Sequence, residues 1–263
     1  MGVRSAAREA GDNGVVRVGA RLGYAVNGLV HLLIGWLGVQ LVLGGRGETA
    51  DQSGALDVLA QNPLGRILLF VMVAGFALLA LFQVSELVSA EGVGDRLKAV
   101  GKFLVYLALA WSALTFALGG HSRSTSQTRD VTAALMSAPL GQVLVGVVGA
   151  GIVAVGGYHL WKGWTKKFLD DLERHPGGWV EVAGRIGYVA KGIALAAVGV
   201  LFVVAAWRHR PSASSGLDGA LRALLDLPLG SALVLAIGLG FACYAVYSFA
   251  RARFARLGSS RRR

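Results

Sequence analysis

The chain has 263 residues, of which 54% are hydrophobic and only 16% are charged, and its mean hydropathy is +0.58. These values exclude an ordinary soluble domain and predict an integral membrane protein. The net charge of +11 is concentrated at the termini and between the apolar windows, so we interpret it as a topology signal and expect no nucleic-acid partner.

Six apolar windows follow one another, each long enough to cross a bilayer as a helix of about 20 residues. They lie near residues 21–43, 65–88, 98–118, 140–161, 185–207 and 229–250. The first window is too long for a secretory signal peptide and is followed by five more, so we interpret it as an uncleaved first helix. The sequence therefore predicts an all-α polytopic membrane protein with six transmembrane helices.

Most of the 26 lysines and arginines fall in the termini and in the connections after the second and fourth windows. Because basic residues are enriched in cytoplasmic segments, this bias predicts a multi-pass protein of the bacterial cytoplasmic membrane with both termini in the cytoplasm. Residues 1–16 are predicted to form a mobile cytoplasmic tail. Residues 252–263 are predicted to form a polybasic cytoplasmic tail that favours anionic lipid.

A two-helix unit occurs three times along the chain. The segment Arg21–Gly28 (RLGYAVNG) returns as Arg185–Gly192 (RIGYVAKG), and a shift of 75 residues places Arg21 on Arg96. Each unit continues to a triplet that opens its second helix: Pro63-Leu64-Gly65, Pro139-Leu140-Gly141 and Pro228-Leu229-Gly230. Agreement along the whole unit is the signature of an internal repeat. The repeats are predicted at residues 17–90, 91–168 and 180–251.

Because each repeat has two spans, the three copies point the same way through the membrane. Parallel copies are related by an axis along the membrane normal, so a pseudo-threefold bundle is the simplest arrangement.

These units, with an Arg-x-Gly-Tyr-x-x-x-Gly opening and a Pro-Leu-Gly start to the second helix, resemble the bacterial membrane family that carries the domain of unknown function 1206. The resemblance covers about residues 17–251 and implies six spans, a membrane location and no known activity. The middle copy departs from the motif, since Lys98-Ala99 replaces the Gly-Tyr pair and Phe103 replaces the last glycine. A close approach of helices is therefore not predicted there.

Glycines at matching positions are predicted to let helix backbones approach closely. They are Gly28, Gly35, Gly192 and Gly199 in the first helices of the outer repeats, and Gly75, Gly151 and Gly240 in the second helices. Each loop before a Pro-Leu-Gly triplet also carries a short amphipathic run. These runs predict short helices at the outer interface or between spans, with a re-entrant selectivity element as the alternative.

Three polar residues occupy one repeat position inside the spans: Asn27, Lys102 and Lys191. Under threefold packing they would lie at one depth, as a ring or as three separate sites. Lys191 would lie about 9 Å deeper than Arg185, at a rise of about 1.5 Å per residue. The set predicts either a cationic collar that attracts anions or anionic headgroups, or lysines that extend to the cytoplasmic interface.

Other polar residues of the spans are His31, His159 and Glu86. Two histidines can bind metal or relay protons, but neither has a second ligand three or four residues away. We therefore favour histidines that hydrogen-bond to neighbouring helices and predict no metal site. Glu86 shares its repeat position with two cations, Lys162 and Arg251, and is expected to pair with a basic residue of a neighbouring repeat.

The sequence contains none of the common catalytic motifs, so we expect no enzyme, no catalytic residues and no cofactor. The remaining hypotheses are a structural or interaction component that binds membrane proteins or lipids, and a small pore or carrier for a neutral or anionic solute along the pseudo-threefold axis. They differ in hydration, because a carrier needs water around its axis-facing residues and a scaffold does not.

Overall fold

The computed structural model describes residues 14–45, 49–90, 92–120 and 124–255. Most of the two predicted tails lies outside these residues. The described ends of both tails differ from the prediction, because α1 begins at Gly14 and the last helix continues to Phe254. No proline interrupts either end, so the helices extend beyond the apolar windows.

The described residues form nine α-helices, six long and three short. In chain order they are α1 (Gly14–Val42), α2 (Gln52–Ala60), α3 (Pro63–Ser89), α4 (Val93–Ala117), α5 (Ser124–Met136), α6 (Gly141–Trp164), α7 (Gly178–Trp207), α8 (Leu217–Leu225) and α9 (Gly230–Phe254). The six long helices are long and apolar enough to cross a membrane. This confirms the predicted all-α class with six membrane spans. The short helices α2, α5 and α8 lie in the loops before the second span of each repeat, at what we call the loop face; the opposite end is the terminal face.

The long helices form an interrupted ring. α1 packs against α3 and α9, α3 packs against α4, and α7 packs against both α9 and α6. This is the cyclic order of a pseudo-threefold bundle with one interface missing. The helices α4 and α6, both described in full, do not pack together. They are the two spans of the middle repeat.

The interruption follows from the departure of the middle repeat from the motif. In the first repeat, Gly23 and Gly75 let the two spans touch, and a Cβ built on Gly75 would lie 3.5 Å from the Cα of Gly23. In the third, a Cβ on Gly187 would lie 2.5 Å from the backbone nitrogen of Tyr244. The middle repeat has Lys98 at this position, and Gly151 faces open space. A long charged side chain replaces the contact that closes the other two repeats.

Glycines also bring neighbouring repeats into backbone contact. A Cβ on Gly35 of α1 would lie 2.5 Å from the carbonyl oxygen of Gly238 in α9. Between α6 and α7, a Cβ on Gly192 would lie 2.8 Å from the carbonyl oxygen of Gly156. Without glycine these helix pairs could not come so close.

The half of the ring nearest the loop face is filled by apolar side chains. Leu56 of α2 and Leu221 of α8 are fully buried in one core cluster with Met72, Phe116 and Ile237 from three spans. Polar contacts join the short helices of different repeats. The backbone nitrogen of Ala50 donates to the Asp218 carboxylate at 2.9 Å, and that of Ser124 donates to the Ser53 hydroxyl at 3.2 Å.

Tryptophans mark both ends of the bundle. Trp36, Trp111 and Trp207 are exposed near the loop face, and Trp161, Trp164 and Trp179 are exposed near the terminal face. On α7, Trp179 and Trp207 are separated by about 42 Å at a rise of about 1.5 Å per residue. This separation matches the thickness of a bilayer with its headgroups, where tryptophan is enriched.

Candidate intramembrane site

Six polar residues lie at equivalent positions of the three repeats and form what we call the polar layer. The first spans contribute Asn27, Lys102 and Lys191, and the second spans contribute Gln83, His159 and Ser248. The side-chain amide of Asn27 lies 3.5 Å from the Ser248 hydroxyl, which places the two sets at one level. The layer lies on the terminal-face side of the apolar core.

A lysine and a histidine from different repeats meet at this level. Nζ of Lys191 lies 3.1 Å from Nε2 of His31, and Nδ1 of His31 lies 2.8 Å from the carbonyl oxygen of Asn27. Because a carbonyl can only accept, Nδ1 carries the proton and donates. Nε2 of the neutral ring then accepts from the Lys191 ammonium. The histidine thus serves as a neutral acceptor for a charged lysine.

Lys191 has aromatic but no acidic neighbours. Its ammonium lies 4.3 Å from the centre of the Tyr244 ring, and the His31 ring lies 4.7 Å from that same ring. No carboxylate among the described residues forms an ion pair with Lys191. Cation–π contact and a neutral histidine stabilise the charge only partly, since neither neutralises it.

Accessibility in the polar layer is highest on α4, which borders the gap. Gln83 on α3 and Ser248 on α9 are 5% and 2% exposed. Asn27, His159 and Lys191 are half-buried, and Lys102 on α4 is exposed. Lys102 shares a helix face with Tyr106, four residues further on, which packs against the core. The interrupted ring therefore leaves one side of the layer open.

A group of cations surrounds one carboxylate between the polar layer and the terminal face. Nζ of Lys162 lies 2.8 Å from Asp171, and the Arg251 guanidinium lies 3.7 Å from the same carboxylate and 4.3 Å from the centre of the Tyr24 ring. Glu86 at the equivalent position is exposed and makes no hydrogen bond or ion pair with the described residues. Including Lys191 and Lys102, the basic residues in this half of the ring outnumber the acidic ones.

Asp171 is positioned by the connection between α6 and α7. Phe168 of this connection is fully buried between the rings of Tyr188 and Tyr247, with centroid distances of 5.3 and 5.1 Å. The Tyr247 hydroxyl donates to the carbonyl oxygen of Phe168 at 2.8 Å. The ring of Phe168 thus anchors the segment that carries the carboxylate.

The comparisons with known proteins agree with the repeats. The domain of unknown function DUF1206 matches residues 22–87, 97–166 and 186–255. The chain belongs to this family. It is 30% identical to the uncharacterized protein YxxB of Bacillus subtilis (strain 168), over 87% of each chain. No solved structure matches the chain.

These findings confirm the resemblance drawn from the motifs and show a polytopic DUF1206 membrane protein of unknown function. Each family match spans the two long helices of one repeat and the short helix between them. The interrupted ring is therefore built from three DUF1206 domains, and the gap lies within the middle one.

The structure brings some of the predicted site residues together and leaves others apart. Lys191 and His31 are in contact, and Asn27 accepts from His31 through its backbone. The His159 ring instead stacks on Tyr188, with centroids 5.7 Å apart. No group of three or more potential metal ligands occurs in the described part of the chain.

Two residues of the layer escaped the sequence reasoning. The sequence predicts Gln83 as a hydrogen-bonding side chain between helices but does not connect it with the polar repeat positions, and Ser248 is not singled out. The signal was present, because the shifts of 76 and 165 residues that align the Pro-Leu-Gly triplets also place Gln83 on His159 and Ser248. Applying these shifts to the second spans would have given all six positions.

Proposed function

We propose that this DUF1206 protein is a lipid-binding interaction component of the bacterial cytoplasmic membrane, with its terminal face in the cytoplasm. The observation that carries the proposal is the gap between α4 and α6. A six-helix ring with one missing interface gives a lipid sideways access to the polar layer. We propose no enzymatic activity.

The surfaces beside the gap support this function. Gly151 on α6 occupies the position at which the other repeats close, and nothing lies within 4 Å of a Cβ built there. Val147 and Tyr158 lie on the same face of α6 and are exposed. A face of this kind accommodates acyl chains, while its open glycine leaves room for a chain to lie along the helix.

A crosslinker in the gap tests the proposal. A photoreactive leucine analogue at Gly151, which is smaller than the tryptophan that would fill the gap, is expected to capture lipid that stays bound after extensive detergent exchange. Gly157 is the matched control, because it also faces open space but lies about 120° away around the same helix. Mass spectrometry of the irradiated protein identifies the adduct. If detergent exchange removes the lipid near Gly151 as completely as the lipid near Gly157, neither position gives an adduct, and lipid binding in the gap is contradicted. A crosslink from Gly151 to another protein chain would contradict it as well.

A carrier for a neutral or anionic solute is the second candidate, because half-buried polar residues line the ring interior. Such a path must continue to the loop face. There it meets Phe116 and Ile237, which are almost fully buried together with Leu56 and Leu221 from the short helices. This apolar half favours binding over transport.

Cysteine labelling separates the two candidates. The single cysteine of the chain, Cys243, is first replaced by serine. In this background, Ala113→Cys on α4 and Ala194→Cys on α7 place small thiols in the apolar half, where both alanines are buried. We expect a membrane-impermeant maleimide to leave both unlabelled and to label Ser137→Cys, an exposed control at the loop face. Labelling of Ala113→Cys in a folded protein would demonstrate a wetted path and support the carrier.

A further inference from the structure

The ligand of the gap can be specified further, on the basis of the proposed function. We propose that the polar layer binds the phosphate of an anionic phospholipid, which enters sideways between α4 and α6 and is held by Lys191 and Lys102. The acyl chains then lie along the open face of α6.

The charge of Lys191 calls for an anion that the described protein does not supply. Its ammonium contacts a neutral histidine at 3.1 Å and a tyrosine ring at 4.3 Å. The nearby carboxylate of Asp171 is engaged by Lys162 at 2.8 Å and by Arg251 at 3.7 Å. A cation within a membrane without a counter-ion is unfavourable. A phosphate is the group that a lysine commonly binds as a point charge.

The depth of the layer favours a bound headgroup over one in the bulk bilayer. Arg185 stacks on Trp164 at the terminal face, with 4.8 Å between the guanidinium carbon and the ring centre. Lys191 lies about 9 Å further along α7 at about 1.5 Å per residue. A phosphate at that depth needs hydrogen-bond donors, and the layer provides the side-chain amide of Asn27 and the two lysines.

The gap between α4 and α6, where one interface of the ring is missing, gives access to the polar layer. Lys102 is exposed on α4 and His159 is half-buried on α6, and these two helices border the gap. His159 donates through Nδ1 to the carbonyl oxygen of Val155 at 2.8 Å, so Nε2 of the neutral ring is an acceptor. An anion entering between these helices therefore meets Lys102 first and Lys191 behind it.

Lipid retention by the full-length protein in detergent tests the inference. Native mass spectrometry measures how much phosphatidylglycerol and phosphatidylcholine, with identical acyl chains, stay bound. We expect a preference for phosphatidylglycerol that falls about tenfold in Lys191→Gln, the loss typical of one charge-assisted contact.

Lys102→Gln should also weaken the preference, and Lys191→Arg should keep it. Lys167→Gln is the matched control, because Lys167 lies on Trp161 outside the ring. Lys102 is exposed, so Lys102→Gln is expected to fold. An unchanged preference in Lys102→Gln and in folded Lys191→Gln would overturn the inference.

Two further arms separate the possible failures. Gly151→Trp fills the gap and should reduce retention of both lipids. If it does so while the lysine variants keep the wild-type preference, lipid binds in the gap without recognition of its phosphate, and only this inference fails. If Gly151→Trp retains both lipids like the wild type, the proposed function fails as well. Inorganic phosphate alone should not change the unfolding temperature; a Lys191-dependent increase without lipid preference would identify a soluble anion and overturn the lipid assignment.

Discussion

Replacing Gly156 by leucine is expected to separate α6 from α7 and prevent the bundle from folding. A Cβ at this position would lie 2.8 Å from both the carbonyl oxygen of Gly192 and the backbone nitrogen of Ala196. Backbone atoms cannot move aside as a flexible side chain can, so the two helices must part. We expect a loss of about 3 kcal/mol or more, at or beyond the upper range for overpacked cores. The midpoint of an SDS unfolding titration measures it.

Gly151→Leu provides a stringent control for this effect. Gly151 lies in the same helix, has the same residue type and was selected by the same sequence rule, yet nothing lies within 4 Å of its Cβ position. We expect this variant to unfold at the wild-type midpoint or slightly above it, because leucine favours the helix more than glycine does. If Gly151→Leu unfolds as readily as Gly156→Leu, α4 and α6 are in contact in the membrane and the ring is closed.

The contrast between these glycines shows how far the sequence can predict this fold. The repeat identified the six spans, the short helices and the residues at equivalent positions, because each copy faces similar constraints. It also indicated that the two spans of the middle repeat would not pack together, since Lys98 occupies the position of Gly23 and Gly187. The helix that each glycine would meet could not be predicted. Gly192 touches the preceding repeat, whereas Gly187 touches its own, and the two differ by only five positions in one motif.

The contact between Lys191 and His31 lay beyond sequence reasoning for a related reason. The two residues are 160 positions apart and occupy different repeat positions. Repeat symmetry pairs Lys191 with Asn27 and Lys102, but His31 belongs to the next turn of α1. Only the packing of α1, α7 and α9 around the Tyr244 ring brings them together. The excess of basic over acidic residues at this depth, in contrast, could be predicted from the sequence, because no acidic residue occupies the repeat position of Lys102 and Lys191.

The connection between α6 and α7 was the least predictable part of the candidate site. Residues 165–177 are polar and aperiodic, and their basic residues predict only the orientation of the chain in the membrane. In the structure, Phe168 enters a cluster of buried tyrosines, and Glu173 donates its backbone N–H to the carbonyl oxygen of Phe254 at 2.8 Å. A single aromatic residue in a charged loop gives no periodic signal, so its burial appears only when the facing helices are in place.

Phe168→Ala is expected to destabilise the protein by about 3–5 kcal/mol, the range for truncating a fully buried phenylalanine. The change removes the ring between Tyr188 and Tyr247 and leaves a cavity at the end of α7, where the ring also fills the space beside Gly184. Because this segment carries Asp171, the variant should also release Lys162 and Arg251 from their shared carboxylate. The midpoint of SDS unfolding measures the stability.

The same truncation at Phe70 of α3, whose ring is exposed on the outer surface of a span, should leave that midpoint nearly unchanged. A Phe168→Ala midpoint equal to that of Phe70→Ala would show that the connection does not insert its ring, and Asp171 would then be free of the site. A loss of stability confined to Phe168→Ala would support the position of Asp171 beside Lys162 and Arg251, which leaves Lys191 as the cation without a carboxylate partner.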